Sequence, residues 1–224
     1  MVSALLLLVA AGQLACVGVL WTRVTRVPRV WLLGVVGVGL AYDSAVIGLG
    51  AVLGEGAFLH VLSVPRFVAH AVLTPLLIVW AADRLGARHG TEDGRRDRSV
   101  SAARGWWWTA VVLTGALLAG GVLTELPHLR LVPREYADTL RYAAEHPAPP
   151  VPALVVGIVM LAAGIVLWRK ESARTLLIGT VVLIGASAAA VAVPPLGNVG
   201  EAALLVGLVA AELHARRESV GVTV

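Results

Sequence analysis

Apolar residues fill seven runs along the chain, at residues 2–20, 30–53, 63–82, 105–124, 151–168, 174–193 and 196–213, with short polar stretches between them. Each run approaches the ~20 residues that cross a bilayer as a helix. Gly54-Glu55-Gly56 turns the chain after the second run, and Pro194-Pro195 stops the sixth. Pro75 falls inside the third, where a membrane helix tolerates a bend. The pattern predicts an all-α membrane protein, one domain of seven transmembrane helices over residues 1–224. Residues 83–104, rich in Gly and Arg, read as a solvated loop. Residues 125–150 read as a longer loop that lids the bundle, with a short amphipathic surface helix at 134–145 ended by His146-Pro147.

Charge placement orients the bundle. Of the 18 basic residues, 14 fall in the loops on one side, around Arg23–Arg26–Arg29, residues 84–104, Arg169–Lys170–Arg174 and Arg216–Arg217. Positively charged loops stay cytoplasmic, so the N-terminus is expected outside and the C-terminus inside. All seven tryptophans fall near the same side and read as interfacial anchors. A net charge of +4 built from short loops is a topology signal rather than a nucleic-acid footprint. Lys170 is the one lysine, and Ala, Gly and Val are abundant, the usage of a GC-rich bacterial gene; a multi-pass protein of a bacterial plasma membrane is expected. Cys16 stands alone, which excludes an internal disulfide and argues against a thiolate metal site.

Against this background the polar residues inside the runs are informative, because a charge at membrane depth costs at least a few kcal/mol. Asp43 lies roughly 13 Å below the outer end of the second run, His70 roughly 10 Å below that of the third, and Glu201 roughly 8 Å below that of the seventh, at ~1.5 Å per helical residue. Arg66, His70 and Thr74 follow each other at i, i+4 and i+8 and share one stripe, and Asn198 shares a face with Glu201. Asp43 shares its face with Gly39 and Gly50, which read as helix-packing positions. Together these residues line a polar cup in the outer half of the bilayer, with Gln13 the one polar residue near mid-depth of the first run. Plainer roles stand beside this one: an ion pair of Asp43 with Arg66 or His70, a cross-helix hydrogen bond from Tyr42, and a Glu201 that meets headgroup water.

A carboxylic acid kept out of water can hand a proton to an apolar substrate dissolved in the bilayer. Asp43 or Glu201 fits the donor, with Arg66 and His70 to orient it or accept the final proton. A facial triad of one His, one Asp and one Glu lacks local ligand spacing, so no metal or cofactor is expected. The chain has no Ser–His nucleophile pair, no Gly-rich phosphate loop and no Asp-rich diphosphate motif, and its lysine is in a loop, where it cannot hold retinal.

With one acid early in a small heptahelical chain and another in the last span, the topology resembles the membrane-integrated terpene cyclases of bacterial indole-terpenoid and meroterpenoid pathways. The likeness covers the whole chain in topology. At residue level it rests on Ala41-Tyr42-Asp43-Ser44, on Arg66-Phe67-Val68-Ala69-His70 with Thr74-Pro75-Leu76-Leu77, and on the seventh run. It implies a metal-independent cyclase that protonates the alkene or epoxide of a farnesylated indole or other prenylated aromatic and closes rings through carbocations. Asp43 and Glu201 would be the acids, His70, Arg66 and Tyr42 would complete the catalytic set, and Phe67, Thr74, Asn198 and Tyr136 would contact the substrate. The expected partners are that lipophilic small molecule and the lipid bilayer. Two other classes fit the same cluster: a small-molecule or lipid transporter with a proton relay, and a non-catalytic membrane subunit.

Overall fold

The computed structural model describes residues 1–24, 28–86, 96–147 and 150–221, and among them the chain forms seven α-helices and one β-hairpin. The helices are α1 (Val2–Arg23), α2 (Pro28–Leu53), α3 (Ala57–Gly86), α4 (Arg96–Gly120), α5 (Val151–Glu171), α6 (Thr175–Ala189) and α7 (Leu196–Gly221). Six helices are long and apolar enough to cross a membrane, while α6 has 15 residues and falls short of that length. Large apolar side chains face outward, among them Leu8, Val52, Leu123 and Ile158. Such a surface needs lipid rather than water around it and is that of a multi-pass membrane protein.

The apolar runs underestimate several helices. The third helix begins at Ala57 rather than 63 and ends at Gly86 rather than 82, and α7 continues to Gly221 rather than 213. Helix propensity does not stop where hydrophobicity does; Arg, Glu and Ala carry a helix into the polar zone. The sixth helix is shorter than its run, closing at Ala189 before the turn at Pro194-Pro195. The predicted loop 83–104 is helical at both ends; its centre, residues 87–95, lies outside the described residues, as does Arg26.

In the core, α7 packs on α1, α2 and α6, and α3 packs on α2, α4 and α5. Leu33, Leu77, Met160, Leu167, Leu176, Leu205 and Leu208 fill the space between them. Helices α6 and α7 approach so closely that a Cβ on Gly179 would lie 2.5 Å from the Ala203 carbonyl oxygen.

Residues 134–145 do not form the predicted surface helix. They belong to an antiparallel hairpin, β1 (Leu131–Tyr136) and β2 (Thr139–Ala144), in register from Leu131 opposite Ala144 to Tyr136 opposite Thr139. Leu140 and Tyr142, two apart, are buried against Val46 and Leu59, and that period of two is the strand signal. Pro133 disfavours a helix interior but suits the edge of a two-stranded ribbon. Gly50 seats the hairpin on α2: a Cβ there would fall 1.7 Å from the Leu140 carbonyl oxygen. Its role is to admit a strand, where the sequence pattern pointed to a neighbouring helix.

At the hairpin tip, Ala137 has φ +50° and Asp138 caps α1. The Asp138 carboxylate accepts from the Met1 amino group and from the Val2 amide at 2.7 Å, and Ser3 Oγ donates to the Asp138 carbonyl. The Met1 amino group, with the Val2 and Ser3 amides, pulls the Asp138 pKa from 3.8 down to about 2 against the opposing effect of burial. A carboxylate with a lowered folded-state pKa contributes stability that is complete above the unfolded value and lost as pH falls through the folded one. Hairpin docking on α1 is therefore expected to loosen between pH ~4 and ~2. Amide exchange of residues 131–144, followed by mass spectrometry, should show that step, and Asp138→Asn should remove it.

Candidate functional site

The polar residues of α2, α3 and α7 meet at the hairpin end of the bundle. On α2, Asp43 is 6% exposed, and its two oxygens are both taken: Arg66 Nε donates to Oδ1 at 2.7 Å, and Asn198 Nδ2 donates to Oδ2 at 2.6 Å. Asn198 also reaches Ser44 Oγ at 3.2 Å. Arg66 continues to the Tyr142 carbonyl on β2 at 3.4 Å, and its guanidinium carbon lies 5.8 Å from the centre of the Phe67 ring. Four elements are thus joined through one ion pair. One turn beyond Arg66 on α3, His70 Nε2 hydrogen-bonds Glu201 Oε1 on α7 at 2.9 Å. Glu201 Oε2 is buried and has no partner among the described residues.

Two cavities flank this pair and share Phe67 and His70 as a common wall. The smaller, about 300 Å³, is lined by Asp43, Arg66, Arg141, Asn198 and Glu201. The larger, about 970 Å³, lies between α3, the hairpin base and the start of α5. Ala71, Leu126, Leu129 and Val151 give it apolar walls, while Glu125, His128, Arg130 and Glu145 supply polar groups. Part of its wall is a π-helical turn, Gly121–Glu125, followed by a 3₁₀ turn, Leu126–His128. Such turns often interrupt helices at binding sites. Within the predicted loop 125–150, residues from 125–130 and 144–147 border the cavity, as these turns and the base of a hairpin rather than as a loop.

The structure brings together Asp43, Arg66, His70, Asn198 and Glu201, and places Phe67 and Thr74 on the larger cavity. Tyr42 stands apart: its hydroxyl donates to the Leu62 carbonyl at 2.8 Å, a bond between α2 and α3. Tyr136 sits at the hairpin tip and lines neither cavity, because the strand geometry carries it to the α1 end of the ribbon. Gln13 is buried with both amide atoms unpartnered among the described residues, and nothing in the structure explains it.

Arg141 is a member that sequence reasoning missed. It falls in the stretch that the sequence pattern assigns to the surface helix, yet β2 turns it into the smaller cavity. Burial pulls its pKa below the usual arginine value and Arg66 adds repulsion, which Asp43 partly offsets. The signal available was its position between Leu140 and Tyr142 in an alternating stretch, which only a strand reading makes legible.

A second polar layer, also missed, lies at the opposite end. Arg84 forks onto Glu171 at 3.1 and 2.6 Å. Glu212 accepts from Trp80 Nε1 at 3.0 Å and from Arg29 Nε at 3.2 Å, and Arg29 also reaches Asp83 at 3.3 Å. His214 donates to the Glu171 carbonyl at 2.8 Å. Trp80 is fully buried, so it is a core hydrogen-bond donor and not an interfacial anchor. Arg84, Glu171 and Glu212 are thus buried polar groups that lie away from the predicted polar cup.

In comparisons with protein families, curated proteins and solved structures, nothing matches this chain.

Proposed function

We propose that the protein is a membrane-integrated, metal-independent cyclase of a prenylated lipophilic substrate, with the His70–Glu201 pair as its proton source. The observation that carries this reading is the position of His70. It stands on the wall between the two cavities, 44% exposed, with its Nε2 on a carboxylate whose other oxygen is buried and unpartnered. An undersolvated carboxylate against an imidazole can hold or release a proton at the cavity wall. Asp43, with both oxygens accepting, braces Arg66 instead of acting as the donor that the sequence pattern implies. The larger cavity falls within the range that holds a drug-sized or prenylated molecule.

The proton from the pair adds to an alkene carbon or epoxide oxygen, the cation closes a ring, and a proton returns to the pair, so substrate and product are isomers. Phe67 is the one Phe, Tyr or Trp ring among the larger cavity's lining residues, which suits a short cascade quenched soon after it begins. The apolar layer of Leu33, Leu77, Leu205 and Leu208 separates the cluster from the Arg84 end, which favours one-sided chemistry over a transmembrane relay. In this reading all seven helices cross a bacterial plasma membrane, with the N-terminus and hairpin outside. The course of α6 supports it, because α5 ends and α7 finishes at the Arg84 end, so α6 must return the chain between them.

Membranes holding the protein, incubated in D₂O with prenylated indoles and phenols, should yield an isomer carrying one deuterium on a non-exchangeable carbon. His70→Asn and Glu201→Gln should each lower that product about 100-fold or more. Unchanged product in both variants would overturn the assignment.

A further inference from the structure

Charge matching in the smaller cavity leaves one cation over. Asp43 is matched by Arg66 and Glu201 by His70. Arg141 lines the same space, and its guanidinium has no hydrogen-bond or ion-pair partner among the described residues. Its direct neighbour across the hairpin is Arg134, another cation, so the ribbon offers it no relief. Arg66 uses its Nε on Asp43 and its Nη1 on Tyr142, and its Nη2 makes no bond to a described residue. Two guanidinium groups therefore present uncommitted N–H donors at a cavity of about 300 Å³, room for a small headgroup. Guanidinium forks fit the oxygens of a carboxylate or phosphate.

We infer that the smaller cavity is an anion subsite, in which Arg141 and Arg66 hold the carboxylate or phosphate of an amphipathic ligand whose apolar tail lies in the larger cavity. The shared wall of Phe67 and His70 makes the two spaces neighbours, so a head in one and a tail in the other is continuous past His70. Glu201 lines the same cavity, and its charge is offset by His70 at 2.9 Å. The inference rests on the larger cavity as the seat of a lipophilic substrate and adds that, among prenylated molecules, those that carry a carboxylate or phosphate bind more tightly than neutral ones.

The test is binding to purified protein in phosphatidylcholine nanodiscs, with farnesoic acid, farnesyl phosphate, farnesol and farnesylamine as probes. The two anions should bind at least about tenfold more tightly than the alcohol. Arg141→Gln should remove that advantage and leave farnesol binding unchanged, while Arg134→Gln, outside the cavity, should leave both as they are. Arg141→Glu should shift the preference to the amine, which guards against a variant that merely disturbs the hairpin. Acetate or inorganic phosphate alone, and nanodiscs doped with phosphatidic acid, identify the source: competition by the small ions assigns a free anion, and competition by the lipid assigns a headgroup. Equal affinity for acid and alcohol, or an acid preference that survives Arg141→Gln, would overturn the subsite. Glu201→Gln, which removes a negative charge from the cavity and is expected to abolish turnover, should keep the acid preference, so loss of turnover and loss of the subsite are read separately.

Discussion

Replacing Arg84 with methionine is expected to lower the stability of the bundle by about 3–5 kcal/mol. Arg84 is 3% exposed and gives Glu171 a two-point contact, while its Nε lies 3.9 Å from Glu212 Oε1. Removing the guanidinium takes the two-point contact from Glu171, 6% exposed, and the nearby cation from Glu212, 0% exposed. The cost comes from weakening the compensation of buried carboxylates more than from the bond itself, because forming a buried pair already demands desolvation of both charges. A double variant, Arg84→Met with Glu171→Leu, should accordingly recover most of the loss, since Glu212 keeps Arg29 and Trp80. Melting of the purified protein in one detergent, compared across the two single variants and the double, measures the coupling. If the singles melt like the native protein, the layer is solvated and the burial argument fails.

This layer also shows where sequence reading stops. The apolar runs made the helices legible, and the residues of the hairpin-end cluster stood out because a charge in the middle of an apolar run has no cheap explanation. Arg84, Glu171 and Glu212 stand within a turn or two of a run's end. There the sequence reads the same whether a charge meets headgroup water or turns inward to a partner. Trp80 and Arg84 at i and i+4 share a face, as do Glu212 and Leu208, so the spacing held the information once the helices were known to continue. The hairpin was lost for another reason. Arg134, Glu135 and Arg141 among Tyr and Leu satisfy an amphipathic helix and an edge ribbon about equally. Only the tertiary fit of Leu140 against Gly50 decides between them. Arg141, which only the strand turns toward the smaller cavity, was hidden with it.

Asp43 separates a brace from a catalyst. The structure predicts that Asp43→Leu destabilises the protein by about 3–5 kcal/mol, because Arg66, 7% exposed, keeps its charge with no carboxylate to meet it. Arg66→Met should cost a comparable amount through the stranded Asp43, and the double variant should cost much less than the sum of the two. Asn198 remains in both cases and can turn to Ser44, 3.2 Å away, which limits the damage to the ion pair itself. Asp43→Asn keeps an oxygen for Arg66 and should melt lower than the native protein while retaining turnover per folded molecule within a few-fold. An essential proton donor would behave in the opposite way, with the fold intact and the product gone, as is expected for Glu201→Gln. Melting curves and deuterium incorporation on the same preparations therefore assign the two carboxylates independently. A native-like melt with lost product in Asp43→Asn would return the acid to α2 and leave the His70–Glu201 pair as its support.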